Sequence, residues 1–194
     1  MISHDVPYDR LPPRAREGPQ EAARGRAGAD EAQGKGADVA LFTSEYSFKV
    51  DRKGRVSVPA DYRAALASQS FQGIVVIPAI GEQALDGYGN DRLEAMARGL
   101  DHSGVYDEEE RDEAELLFAQ ARRLPFDGEG RVLLPEECIR HAAIGEQVVY
   151  AGLGPSFRIW NPEAYTEHKA RITERARAKG RPLRLRPPPA GGSR

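Results

Sequence analysis

The segment Val50-Asp51-Arg52-Lys53-Gly54-Arg55-Val56-Ser57-Val58-Pro59 comes back 76 residues later as Phe126-Asp127-Gly128-Glu129-Gly130-Arg131-Val132-Leu133-Leu134-Pro135. Each copy reads apolar, Asp, two variable residues, Gly, Arg, an apolar alternation, Pro. A repeated supersecondary unit governs how everything else in a chain is read. Before the first copy, Tyr46, Phe48 and Val50 alternate with Ser47 and Lys49, the period of a half-buried strand. Asp opens a turn, because its carboxylate accepts the backbone N–H two residues on. Gly supplies the positive φ that closes a turn into a hairpin. Val56 and Val58, or Val132 and Leu134, then form a returning strand, and the proline suits the first turn of a following helix. Those helices are expected over Ala60–Ala67 and Glu136–Ala143, so each copy reads as a hairpin followed by a helix.

The net charge of −2 over 194 residues hides a strong segregation. Residues 1–38 carry −1, residues 39–168 carry −9, and residues 169–194 carry +8. Bulk charge gives the body no nucleic-acid signature, so any such role rests on local patches. The lone Cys138 rules out an internal disulfide framework and fits a reducing compartment. No apolar run approaches the ~18 residues of a membrane span, and the N-terminus has no signal-peptide core. These features read as a cytoplasmic protein with no membrane partner.

In chain order, residues 1–38 read as a disordered extension too poor in apolar residues to order itself, with Val39 a candidate true start read from a non-AUG codon. Residues 45–92 hold the first repeat, with strands at Gly73–Pro78 and Ala84–Tyr88. Residues 93–120 form a connecting helical segment: Asn90 caps Arg92–Leu100, and a longer helix runs from Asp107 to Arg123. Ala114, Leu117, Phe118 and Ala121 line one face of that helix. Residues 121–164 hold the second repeat, with strands near Gly145–Gly152 and Ser156–Trp160. A C-terminal helix covers 165–179, opened by Pro162, and 180–194 is a basic, Pro-rich disordered tail.

Enzymatic chemistry finds little support. His4, His102, His141 and His168 show no ligand spacing, so no metal site is expected. Cys138 falls opposite Tyr62 in the repeat alignment, which suits a core-facing residue better than a nucleophile. Gly87-Tyr88-Gly89 and Gly152-Leu153-Gly154 lack the third glycine of a dinucleotide loop. The expected catalytic set and cofactor set are both empty.

The turns carry the functional signal. From Phe48 to Arg63, Lys49, Arg52, Lys53, Arg55 and Arg63 face Asp51 and Asp61, a net +3. The aligned window Leu124–Ile139 sets Arg131 alone against Asp127, Glu129, Glu136 and Glu137, a net −3. Phosphate contact needs clustered Lys and Arg, and base reading favours the arginine fork. Only the first copy meets that need, so Arg131 is expected to brace its hairpin rather than read DNA. Spacing and charge leave two readings open: a solvated turn held by Asp–Arg pairing, or a DNA-contacting tip.

Asp51…Arg55 and Asp127…Arg131, each followed by apolar-x-apolar-Pro, resemble the hallmark of the MraZ family, as do Phe42, Tyr62-Arg63 and Phe157–Trp160. The likeness covers about residues 39–175. It implies an α+β fold: two tandem swapped-hairpin (SpoVT-AbrB-like) repeats of β-hairpin and helix, interlocked in one pseudo-twofold domain. It also implies a nucleoid-associated, ring-like homo-oligomer. Such an assembly would act as a repressor on double-stranded DNA, at direct repeats upstream of the division and cell-wall gene cluster that includes its own gene. By the resemblance, Arg52, Lys53 and Arg55 match the DNA-contacting first motif; Lys49 and Arg63 join them on charge. Asp51, Gly54, Pro59, Asp127, Gly130, Arg131 and Pro135 form the structural motif. The N-terminal extension and basic tail depart from the family pattern. An antitoxin-like partner-binding module and a non-specific nucleoid protein are the alternative readings.

Overall fold

The computed structural model describes residues 40–102 and 108–180. The expectations for residues 1–38, the Val39 start, the Asp107 cap and the tail beyond Gly180 lie outside the described residues. In chain order the elements are β1 (Glu45–Lys49), β2 (Arg55–Ser57), α1 (Ala60–Ala65), β3 (Gly73–Pro78), β4 (Ala84–Tyr88), α2 (Asn90–His102) and α3 (Glu108–Gln120). There follow β5 (Arg122–Pro125), β6 (Arg131–Leu133), α4 (Glu136–His141), β7 (Gln147–Gly152), β8 (Phe157–Trp160) and α5 (Pro162–Ala178).

Six strands form one sheet in the order β1-β7-β8-β4-β3-β5, and β2 and β6 form a separate two-stranded ribbon. Every pairing is antiparallel. Exchanging β1 with β5, β3 with β7 and β4 with β8 reverses the strand order onto itself. That is the pseudo-twofold relation of an α+β domain built from two copies.

The local hairpins expected from each turn do not form ladders. The first turn is closed by the Val50–Val56 bridge and the Asp51 N–H on the Arg55 carbonyl at 2.9 Å, after which its strands part. β1 leaves to pair with β7, and β2 leaves to pair with β6, so both find partners in the other repeat. An isolated two-stranded hairpin is marginal in water. The exchange gives the short strands β2 and β6 a buried ladder instead, with Val56 and Val132 at most 1% exposed.

The main core draws on both repeats: Phe42, Val56, Val58, Tyr62, Leu66 and Leu85 meet Val132, Leu134, Cys138, Tyr150, Phe157 and Ile159. Phe42 sits edge-to-face on Tyr62 at 5.0 Å and on Phe157 at 4.9 Å, the preferred geometry for opposed ring quadrupoles. Cys138 occupies in α4 the core-facing place that Tyr62 takes in α1, as the repeat alignment implies. On the other face of the sheet, Trp160, Ala151 and Val149 pack with Ala164 and Tyr165 of α5. Asn161 caps α5 by accepting the N–H of Glu163 at 2.8 Å. Gly87 lets the Phe157 ring of the paired strand lie over it; a Cβ there would sit 2.2 Å from that ring.

Two further expectations change. The long helix stops at Gln120 rather than Arg123, because Arg122–Pro125 is drawn into the sheet against Gly73–Val76 of β3. Asn90 is the first residue of α2, and its side chain is not spent on a cap. Its Oδ1 accepts from the Arg123 guanidinium and its Nδ2 donates to Glu94 at 2.6 Å, satisfying a fully buried amide.

Candidate nucleic-acid interface

Both turns are built by the same hydrogen bonds. In the first, Asp51 Oδ1 accepts the N–H groups of Lys53 (2.8 Å) and Arg55 (2.9 Å), and Oδ2 accepts Arg55 Nε at 2.6 Å. In the second, Asp127 Oδ1 accepts Glu129 and Arg131 N–H, each at 2.9 Å, and Oδ2 accepts Arg131 Nε at 2.9 Å. Gly54 and Gly130 sit at φ 79° and 73°, the left-handed region that disfavours a side chain. Both aspartates are held below the usual carboxylate range, first by the arginine backbone N–H and then by its guanidinium. The spacing Asp-x-x-x-Arg is what one side chain needs to reach both the turn backbone and a cation.

The β2–β6 ribbon joins the turns. Leu134 N–H donates to the Gly54 carbonyl at 3.0 Å, and Val58 N–H donates to the Gly130 carbonyl at 3.1 Å, so each turn is tied to the other repeat. Arg55 lies opposite Leu133, Val56 opposite Val132, and Ser57 opposite Arg131. With both valines inside, the period of two leaves Arg55, Ser57, Arg131 and Leu133 on the outward face. The two turns therefore flank one surface, at opposite ends of a three-residue ribbon.

Charge separates the ends. At the first, Arg52 and Lys53 are exposed beside Arg55. Lys49 lines the same side, where Lys49–Arg52 and Gly145–Gln147 border an open hollow of about 290 Å³. Among the described residues, Asp51 is the one carboxylate paired to Arg55, through Nε at 2.6 Å. At the second, Glu129 adds a second carboxylate, 2.9 Å from Arg131 Nη1. The Arg131 guanidinium is held more firmly protonated, chiefly by Asp127, and its side chain is 23% exposed against 35% for Arg55.

Four of the five basic residues singled out in the sequence gather at the first turn; Arg63 does not. Its guanidinium covers Gly130 of the second turn, where an added Cβ would come within 2.7 Å of it, and its Nε donates to the Val58 carbonyl at 3.3 Å. The equivalent place over Gly54 is filled by Ile139 and Leu133 of the second repeat. Proximity in sequence put Arg63 with the first turn; the crossing of β2 and β6 carries it to the second. Ser57 and Leu133 are the further outward positions of the ribbon. The alternation Arg55-Val56-Ser57-Val58 and Arg131-Val132-Leu133-Leu134 held the signal for them.

Elsewhere, no cluster of three or more His, Cys, Asp or Glu among the described residues is arranged to hold a metal ion. Cys138 is buried, and burial raises its thiol. His141 is exposed, with Nε2 3.1 Å from the Ala79 carbonyl oxygen. No helix among the described residues is long and apolar enough to cross a membrane.

Comparison with known proteins places this architecture. The family model described as "MraZ protein, putative antitoxin-like" matches residues 41–104 and 117–182. Transcriptional regulator MraZ of Rickettsia bellii (strain OSU 85-389) is 37% identical over 145 residues, covering 74% of this chain and 97% of the relative. Transcriptional regulator MraZ of Rickettsia akari (strain Hartford) is 38% identical over 128 residues, covering 66% of this chain and 86% of the relative.

Proposed function

The chain belongs to the MraZ family of transcriptional regulators, and from that premise we propose that it is a sequence-specific repressor. It binds direct repeats in double-stranded DNA upstream of the division and cell-wall gene cluster that includes its own gene. The observation that carries this reading is the first turn: Arg52, Lys53 and Arg55 stand together with Lys49 beside them, four cations against Asp51 and, across the hollow, Glu146. Lys53 and Arg52 neutralise phosphates, a sequence-independent term. Arg55 reads base edges, because Asp51 grips Nε and leaves both terminal amino groups to meet guanine O6 and N7 end-on. Asp51 thus fixes the fork before binding, which lowers the ordering cost. No step of this action calls for catalysis or a cofactor.

A single protomer offers one basic turn, too small a footprint for tight binding at physiological salt. Useful affinity comes from a homo-oligomer, ring-like as in the expectation above, that places several first turns on successive repeats about one helical turn apart. The protein then works in the cytoplasm on the nucleoid. Footprinting of the purified chain on the DNA upstream of its own gene tests the reading. Periodic protection at direct repeats, lost on a scrambled duplex, is the expected result; uniform protection of both duplexes would mark a non-specific nucleoid protein instead. The family description also names an antitoxin-like role. A product of an adjacent gene that binds the chain stoichiometrically and is silenced by it would favour that second reading.

A further inference from the structure

The outward face of the β2–β6 ribbon is a second reading element that the basic turn does not account for. Resting on the DNA-binding function proposed above, we infer that Leu133 contacts the 5-methyl group of a thymine adjacent to the base read by Arg55. The Leu133/Ser57 difference then fixes the direction in which a protomer lies on DNA.

Leu133 is 57% exposed, an unusual place for a leucine in a strand whose neighbours Val132 and Leu134 are 1% and 3% exposed. It stands directly across the ladder from Arg55. Side chains of a directly opposed antiparallel pair lie about 4.5–5.5 Å apart at Cβ. Its Cδ1 also lies over the first turn, 3.7 Å from where a Cβ on Gly54 would be. An aliphatic group is therefore held against the reading arginine by backbone pairing, on a residue supplied by the other repeat. A two-stranded ribbon fits the major groove, about 12 Å wide, and there thymine alone offers a methyl group. Charge complementarity with DNA comes from Arg52, Lys53 and Arg55 at the same end of the ribbon.

Polarity follows from the pseudo-twofold relation. In the repeat, Arg55 corresponds to Arg131 and Ser57 to Leu133, so the four outward residues read Arg and Leu at one end, Ser and Arg at the other. Had both places held the same residue, the ribbon would present the same face from either direction and would suit a palindrome. Leu133 beside Arg55, against Ser57 beside an Arg131 already clamped by Asp127 and Glu129, gives the face one orientation. An oriented reader is what direct repeats demand of every protomer in an array.

The experiment compares wild type, Leu133→Ala and Leu133→Ser, all as the full chain, on duplexes from the DNA upstream of its own gene. In one series each thymine of a repeat is replaced singly by deoxyuridine, which removes only the methyl group. Wild type is expected to lose roughly fourfold in affinity at one thymine per repeat, about the value of one buried methyl-sized group. Both variants should bind the thymine duplex correspondingly more weakly and show no further loss on the deoxyuridine duplex, a thermodynamic cycle that isolates the contact. Leu133 is 57% exposed and shares the place over Gly54 with Ile139, so melting temperatures of the variants should fall only slightly below wild type. Specific binding that is indifferent to every methyl group, or a Leu133→Ala variant that keeps the sensitivity, overturns this inference alone. Failure of wild type to prefer repeats over scrambled DNA overturns it together with the proposed function.

Discussion

At the first turn Arg55 meets one carboxylate and is flanked by two exposed cations; at the second, Arg131 meets two carboxylates and has a glycine where Arg52 stands. The backbone of the two turns is otherwise the same, down to the Asp side chain that accepts two N–H groups and one guanidinium. Duplication thus kept the part that makes a tight turn and released the positions that touch nothing inside it. The crossing of β2 and β6 adds a second lesson. Each turn is roofed by the opposite repeat, Ile139 and Leu133 over Gly54 and the Arg63 guanidinium over Gly130. An apolar roof leaves the cations of the first turn to solvent, whereas a cationic roof helps to offset Asp127 and Glu129 at the second.

If the repeats are one interlocked body, separating them is the harshest test. The main core mixes residues of both halves, and β1 and β2 have their ladder partners in the second repeat. Chains of 39–105 and 106–180 made separately should fail to show a cooperative melt as monomers, because neither buries enough apolar surface. Mixing them should restore a melt; a half that folds alone as a monomer would break the account of the exchange.

Next in size come the turn glycines. Gly54→Ala and Gly130→Ala each force a side chain into the left-handed region, at a cost of about 1–2 kcal/mol. Their secondary effects should differ. Gly130→Ala must displace the Arg63 guanidinium, while Gly54→Ala meets Ile139 Cδ1 at 3.3 Å and the Leu134 carbonyl oxygen at 3.4 Å. Chemical denaturation would register equal or greater loss for the first-turn change, since Arg63 can swing away and the roof of Gly54 cannot. A clearly larger loss for Gly130→Ala would mean that Arg63 holds the second turn together.

A smaller effect separates phosphate contact from base reading. Lys53→Ala should weaken binding to all sequences alike and reduce the slope of log affinity against log salt by about one. Glu129→Ala, its counterpart in the second repeat, should leave that slope nearly unchanged. Titrations at several salt concentrations decide between them, and an equal change in both variants would make the two ends of the ribbon equivalent on DNA.

Much of this was legible in the sequence for a physical reason: a turn needing positive φ and a carboxylate two residues before an N–H leaves few residue choices. Hence Asp51, Gly54, Arg55 and their copies announced themselves. The exchange of strands left no local trace, because β2 has the same alternation whether it pairs with β1 or with β6. Only the family resemblance carried it. On that account sequence spacing groups Arg63 with the first turn although its guanidinium lies over Gly130, and Leu133, an apolar residue between two others, reads as core until its partner strand is known. The end of α3 is hidden in the sequence for the opposite reason. Leu117 to Arg123 has good helix propensity, and tertiary pairing of Arg122–Pro125 with β3 overrides it.

The asymmetry of the two arginines is the centre of the account, and one paired measurement addresses it. Arg55→Ala and Arg131→Ala, full length, are compared for binding to repeat and scrambled duplexes at one salt concentration, with a thermal melt of each protein alongside. Arg55→Ala should melt close to wild type and lose about 1–3 kcal/mol of preference for the repeats. Arg131→Ala should melt lower, because Asp127 and Glu129 lose their shared cation, while the molecules that remain folded still prefer the repeats. An Arg131→Ala protein with an unchanged melt and no specific binding would contradict the account outright.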